Sequence, residues 1–104
     1  MIVCRDWTKS FIDGSWLRLD LYRGFCAVYI AEGVRWYVYD DHSGLLEEAT
    51  SQTRRRIGGG TLDVRKLGRS ASTEEAKKDA DDAARKLGYV LLTKDEEEKA
   101  MLLM

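Results

Sequence analysis

WLRLDLYRGFCAVYIAEGVRWYVYD, residues 16–40, holds three strand-like runs almost back to back, and both faces of those runs carry bulky side chains. Side chains on a strand alternate sides, so Leu17, Leu19 and Leu21 fall on one face while Trp16, Arg18, Asp20 and Tyr22 fall on the other. In the third run Val34, Trp36 and Val38 oppose Arg35, Tyr37 and Tyr39. The second set collects tyrosines and arginines, where a plain solvated face would show Lys, Glu, Thr and Ser. Arg23-Gly24 and Glu32-Gly33 each separate two runs by a short Gly-containing link, the sign of tight antiparallel hairpins. Strands are therefore expected at about 16–22, 25–31 and 34–40. Period-2 alternation says which residues go together, not which set faces the core.

Outward from this meander, Ile2 to Trp7 reads as a first strand, and Asp13-Gly14-Ser15 as a loop. On the C-terminal side, STEEAKKDADDAARKL (Ser72 to Leu87) is the clearest helix. Ser72 and Glu75 have capping-box spacing, acids open it, Arg85 and Lys86 close it, and Gly88 stops it. Ala76, Ala80, Ala83, Ala84 and Leu87 follow helical spacing, so a stripe of methyl groups is expected to lie close on the sheet, beneath large residues such as Leu19, Ile30 and Trp36. Between the two, Leu45 to Arg56 reads as a short helix, Gly58-Gly59-Gly60 as a break, and Thr61 to Leu67 as a short strand, a fourth or edge one. Tyr89 to Leu92 is either a fifth strand or a segment packed on the helix end. The tail from Lys94 to Met104 is expected to be a short helix or frayed.

The fold class expected is α+β: an antiparallel meander of three to five strands packed on one face by an Ala-rich helix. The 104 residues fit a single domain, with a flexible Arg/Gly loop near 53–60. Hydrophobic residues at 44% and charged residues at 34%, with no Pro, exclude a disordered chain. The longest uncharged stretch, Gly24 to Ala31, is far short of the about 20 residues a membrane span needs. Arg5, Asp6 and Lys9 near the N-terminus break any secretory signal, and the expected setting is cytoplasmic. Cys4 and Cys26 are accordingly read as free, half-buried thiols whose proximity the sequence leaves open. One His and two isolated Cys supply no zinc set, and no metal or cofactor is expected. His42 reads as a solvated turn residue.

Two surfaces carry functional readings. Trp16, Arg18, Tyr22, Tyr29, Arg35, Tyr37 and Tyr39 form a candidate partner-binding face, because aromatic residues and Arg dominate such surfaces. The competing reading is a second core, formed if another segment covers them. The stretch from Thr53 to Arg69 sets Arg54, Arg55, Arg56, Arg65, Lys66 and Arg69 against a single Asp63, a candidate phosphate-contacting loop. Its three glycines have neither P-loop nor dinucleotide spacing. A net charge of −1 counts against a dedicated nucleic-acid binder. Asp81 and Asp82, adjacent on the helix and divergent in direction, read as solvated, while an acidic helix can meet a basic patch on another protein. Met101 to Met104 is either docked on the core or an exposed oligomerisation anchor.

Gly68 to Ala84, GRSASTEEAKKDADDAA, following a three-stranded meander, resembles the last motif of double-stranded RNA-binding domains over barely a fifth of the chain. Thr73, Glu74 and Glu75 present hydroxyl and negative charge where that family carries lysines, and its first helix is missing, so no binding residue is carried over. In style the pattern is also similar to small proteins of phages and prophages. The expectation is a small non-catalytic binding protein with a protein partner, acting as a phage-type accessory or inhibitor; a homodimer is a further arrangement. The alternative is nucleic-acid binding through the arginine loop with the aromatic sheet face. No catalytic triad, metal set or phosphate loop can be assembled, and an enzyme is not expected.

Overall fold

The computed structural model describes residues 2–40 and 64–103. Five strands form one antiparallel sheet in the order β2 (Thr8–Lys9), β3 (Trp16–Leu19), β4 (Cys26–Ala31), β5 (Arg35–Tyr39) and β6 (Val64–Arg69). A separate parallel pair joins β1 (Val3–Cys4) to β7 (Val90–Leu91). Helix α1 (Thr73–Lys86) lies across β4, β5 and β6, and α2 (Lys94–Leu102) follows β7. The fold is α+β, a five-stranded antiparallel sheet packed against an Ala-faced helix.

The β4–β5 link is the tight hairpin its sequence implies. Glu32 and Gly33 both take positive φ, 55° and 76°, and Val34 N–H donates to the Ala31 carbonyl, a type I′ turn whose twist matches the flanking strands. The β3–β4 link is longer than Arg23-Gly24 suggests. The Asp20 carboxylate turns inward and accepts from the Tyr22 and Arg23 N–H groups at 2.8 and 2.7 Å, so the chain leaves the sheet at Leu19 and re-enters at Cys26. Tyr22 therefore sits on a turn, off the sheet face.

Register then regroups the remaining residues. Trp16 pairs with Ile30 and Ile30 with Trp36, so these three point to one side; Arg18, Val28 and Val38 form the next row on that side. Leu17, Tyr29 and Tyr37 form a row on the other side. The expected face uniting Trp16 and Arg18 with Arg35, Tyr37 and Tyr39 does not exist. Alternation holds within each strand, but the pairing places the Trp16 set of β3 beside the Trp36 set of β5.

Helix α1 covers the Trp16–Trp36 side. Ala76, Ala80, Ala83 and Ala84 are buried, and Val28, Ile30 and Val38 are buried beneath. Small residues on the helix and branched ones on the sheet make the complementary volumes of a dense core. Ser72 caps the helix by accepting from Glu75 N–H, although the Glu75 carboxylate reaches Ala71 N–H instead of Ser72. Gly88 at φ 88° ends it, with Gly88 N–H to the Arg85 carbonyl and Tyr89 N–H to the Ala84 carbonyl, a Schellman closure. The reciprocal capping box occurs at α2, between Thr93 and Glu96.

The terminal segments are tied to each other. Residues 90–91 form no fifth strand of the main sheet but pair with β1, and Cys4 bridges to Asp20. The first strand is thus shorter than Ile2 to Trp7. The strand expected at 61–67 is found as β6 at the sheet edge, with Thr61–Asp63 outside the described residues. The expected Leu45–Arg56 helix, the triple-glycine break and His42 also lie outside them. Cys4 and Cys26 are not joined in a disulfide, and both are buried rather than half-buried.

Candidate functional site

Arg18 is a structural residue. Its side chain is buried under α1, where Nε and Nη2 donate to Asp81 Oδ1 and Oδ2 at 2.9 and 3.1 Å. Nη1 donates to the carbonyls of Arg5 and Leu92 at 2.8 and 3.1 Å, and the guanidinium lies 5.1 Å from the Trp7 ring centroid. This forked, charge-assisted geometry joins β3, the segment after β1, α1 and the segment after β7. Asp81 is not the solvated carboxylate its neighbour Asp82 is; Asp82 faces water with Arg85. Trp16, on the same side, is half-buried with Lys77 Nζ 3.6 Å and Lys9 Nζ 5.9 Å from its ring centroid.

On the opposite side Tyr29, Tyr37 and Tyr39 form a ring row, with centroids 6.3 Å apart in both neighbouring pairs. Tyr29 and Tyr39 are buried and only Tyr37 is part-exposed. Burial, followed by the neighbouring Cys26, Tyr29 and Tyr37, pushes the Tyr39 phenol far above its ordinary value, and its hydroxyl has no hydrogen-bond partner among the described residues. The Tyr89 hydroxyl donates to the Tyr39 carbonyl, pinning the end of β5 to the end of α1. Of the seven residues expected to form one partner-binding face, Arg18, Tyr29 and Tyr39 are thus inside, Tyr22 is on a turn, and Trp16, Arg35 and Tyr37 are split between two sides.

The cationic set divides as well. Arg54, Arg55 and Arg56 lie outside the described residues. Arg65, Lys66 and Arg69 are exposed on β6, where Lys66 joins the helix side, opposite Val38, and Arg69 the other, opposite Arg35. Arg65 pairs with Asp40 at 3.1 Å. Lys66 also lines an open cleft of about 380 Å3 between β6 and α1, together with Trp36, Asp79, Asp82, Ala83 and Lys86. Trp36 reaches this cleft because its indole lies flat over Gly68; a Cβ there would stand 2.4 Å from Trp36 Cζ2.

Sequence reasoning missed Phe11 and Ile12, at the tip of the β2–β3 hairpin. Their relative exposures are 104% and 84%. The turn that displays them is closed by Ser10 N–H to the Ser15 carbonyl at 2.8 Å and Gly14 N–H to the Ser10 carbonyl at 3.1 Å. Asp13 Oδ1 accepts from both the N–H and the hydroxyl of Ser15, and Gly14 takes φ 71°. The available signal was the placing of two large apolar residues between Ser10 and the Asp13-Gly14-Ser15 loop, where a tight turn cannot turn both inward.

The Cys4 thiol is pushed up to about 12, chiefly by burial, which leaves it protonated and a poor nucleophile. No helix of the described residues is long and apolar enough to cross a membrane. Among the described residues, these features define a small α+β protein whose main antiparallel sheet carries an apolar hairpin tip at one end and a cationic edge at the other. Compared with protein-family models, with curated proteins and with solved structures, the chain matches none.

Proposed function

We propose that this chain is a small non-catalytic binding protein whose partner is another protein, acting by occlusion or bridging in the manner of a phage-type accessory or inhibitor. The observation that carries this reading is the hairpin tip: two adjacent, fully exposed large apolar side chains held on a turn that is already ordered. Each is worth about 1.5–3 kcal/mol on burial, and an ordered turn loses little conformational freedom on docking. Two buried cysteines outside any disulfide fit a reducing, cytoplasmic setting.

Immobilised protein and its Phe11→Ser/Ile12→Ser variant, each exposed to nuclease-treated lysate, test the reading. The wild type should retain a defined protein that the variant releases, while both unfold at the same denaturant concentration. Equal retention by the two would sink the tip as the interface. Recovery of nuclease-sensitive nucleic acid alone would favour instead the reading through Arg54, Arg55, Arg56, Arg65, Lys66 and Arg69.

A further inference from the structure

We propose that the cleft between β6 and α1 receives an extended acidic segment of a partner protein, which adds beside β6 as a sixth strand. This deepens the binding-protein reading and rests on it, but it concerns the opposite edge of the sheet from Phe11 and Ile12.

Backbone geometry makes the first argument. β6 is six residues long and ends the sheet, and no strand among the described residues pairs with its outer side. Arg65, Lys66 and Leu67 along it are exposed, Leu67 at 65%. An edge of this kind presents unpaired N–H and C=O groups to an incoming strand. Helix α1 packs beside β6 and forms the cleft's other wall. Alternate side chains of an added strand would enter the cleft toward Trp36 and Ala83, and the rest would meet Leu67 and Arg69.

Charge selects the occupant. The two carboxylates in the cleft are already engaged, Asp79 by the Ser70 hydroxyl at 2.6 Å and Asp82 by Arg85 at 3.3 Å. Lys66, Lys86 and Arg69 have no ion-pair partner among the described residues. Arg69 stands directly opposite Arg35, which holds Glu32 at 2.8 Å and whose buried Nε finds no acceptor among the described residues. Like charges opposed across two strands are unfavourable, and a carboxylate placed over them removes the conflict. A second copy of β6 would instead set another strand carrying Arg65, Lys66 and Arg69 beside this one. A nucleic acid would run its phosphates past the exposed Glu74, Glu75 and Asp79 on α1, whereas a short strand beside β6 meets Arg65, Lys66 and Arg69 and, in the cleft, two carboxylates that Ser70 and Arg85 already hold.

The test is a fluorescence-anisotropy titration with a labelled peptide of about eight residues, Val-Glu-Glu-Val-Glu-Glu-Val-Glu, which carries Glu on both faces of an extended strand. Controls are a peptide of the same length with a central Pro and a single-stranded oligodeoxynucleotide. Saturable binding of the Glu-Val peptide is expected, with amide NMR shifts confined to β6 and α1. Binding should fall by at least about tenfold for the Pro peptide and for Arg69→Glu, and also for Lys86→Glu, which lies on the helix. Phe11→Ser/Ile12→Ser should bind the peptide unchanged, so failure at the tip and failure at the cleft are read separately. Absence of saturable binding, equal affinity for Arg69→Glu and Lys86→Glu, or tighter binding of the oligonucleotide would overturn the proposal.

Discussion

Arg18 and Arg35 sit on neighbouring hairpins of one sheet and have opposite fates. Arg18 lies under α1 with its donors taken by Asp81 and two carbonyls. Among the described residues Arg35 pairs with the exposed Glu32 at 2.8 Å, faces Arg69, and keeps a buried Nε without an acceptor. The two side chains are chemically identical. What differs is what the register and the covering helix place against them. An arginine with filled donors holds the fold together, while one with donors to spare has capacity for an anion from outside.

The contrast breaks most severely at Asp81. Asp81→Ala leaves Arg18 buried and short of its counter-ion, which should destabilise the protein by about 3–5 kcal/mol in chemical denaturation. An effect near that of an exposed pair would mean that Arg18 is solvated after all.

Next is Gly68→Ala, one residue from Arg69. The new methyl forces the Trp36 ring off β6, at a cost of about 1–3 kcal/mol with a change in near-ultraviolet circular dichroism. An unchanged spectrum would contradict the stacking of Trp36 on Gly68.

A pH series sharpens the buried side of the comparison through Glu97, which docks α2 to the Arg5 segment. Burial by itself would raise the Glu97 carboxyl, but the Arg5 hydrogen bond and charge, the Asp6 N–H and Lys94 outweigh it and hold the carboxyl below its ordinary value. A carboxyl depressed in the folded state contributes stability that is present above its unfolded pKa and lost as pH falls through the folded one. Stability should therefore drop as the pH falls below about 4.3. Glu97→Gln should flatten that drop, leaving the share of Glu96, which the Thr93 cap also lowers. An unaltered acid limb would remove Glu97 as a contributor.

The smallest effect is expected at Arg69→Ala. Exposed to water and with no counter-ion among the described residues, it should shift stability by no more than about 0.5 kcal/mol. A larger loss would show that Arg69, like Arg18, is a structural residue.

Local chemistry was legible in the chain, and relations between segments were not. Glu32-Gly33 signals its hairpin because a two-residue link needs positive φ. Ser72, the alanine stripe and Gly88 define α1 because caps and 3.6-residue periodicity are properties of a single helix. The edge strand around Leu67 could be read from alternation alone. The candidate site was less legible. Arg18 and Arg35 look alike in sequence, and only pairing separates them. Asp81 and Asp82 look equally solvated until the helix is docked and one of them turns toward Arg18. Phe11 and Ile12 were passed over because two adjacent apolar residues give no period.

The sequence by itself determined the α+β class, the meander, the Ala-faced helix with its ends, and the concentration of cations on β6. Only the tertiary structure decided which side chains share a face, which arginine is buried, and that a cleft opens between β6 and α1. Alternation is a property of one strand, whereas register is a relation between strands, set here by the Asp20 turn and by the shifts at Arg18/Leu19 and Val38/Tyr39.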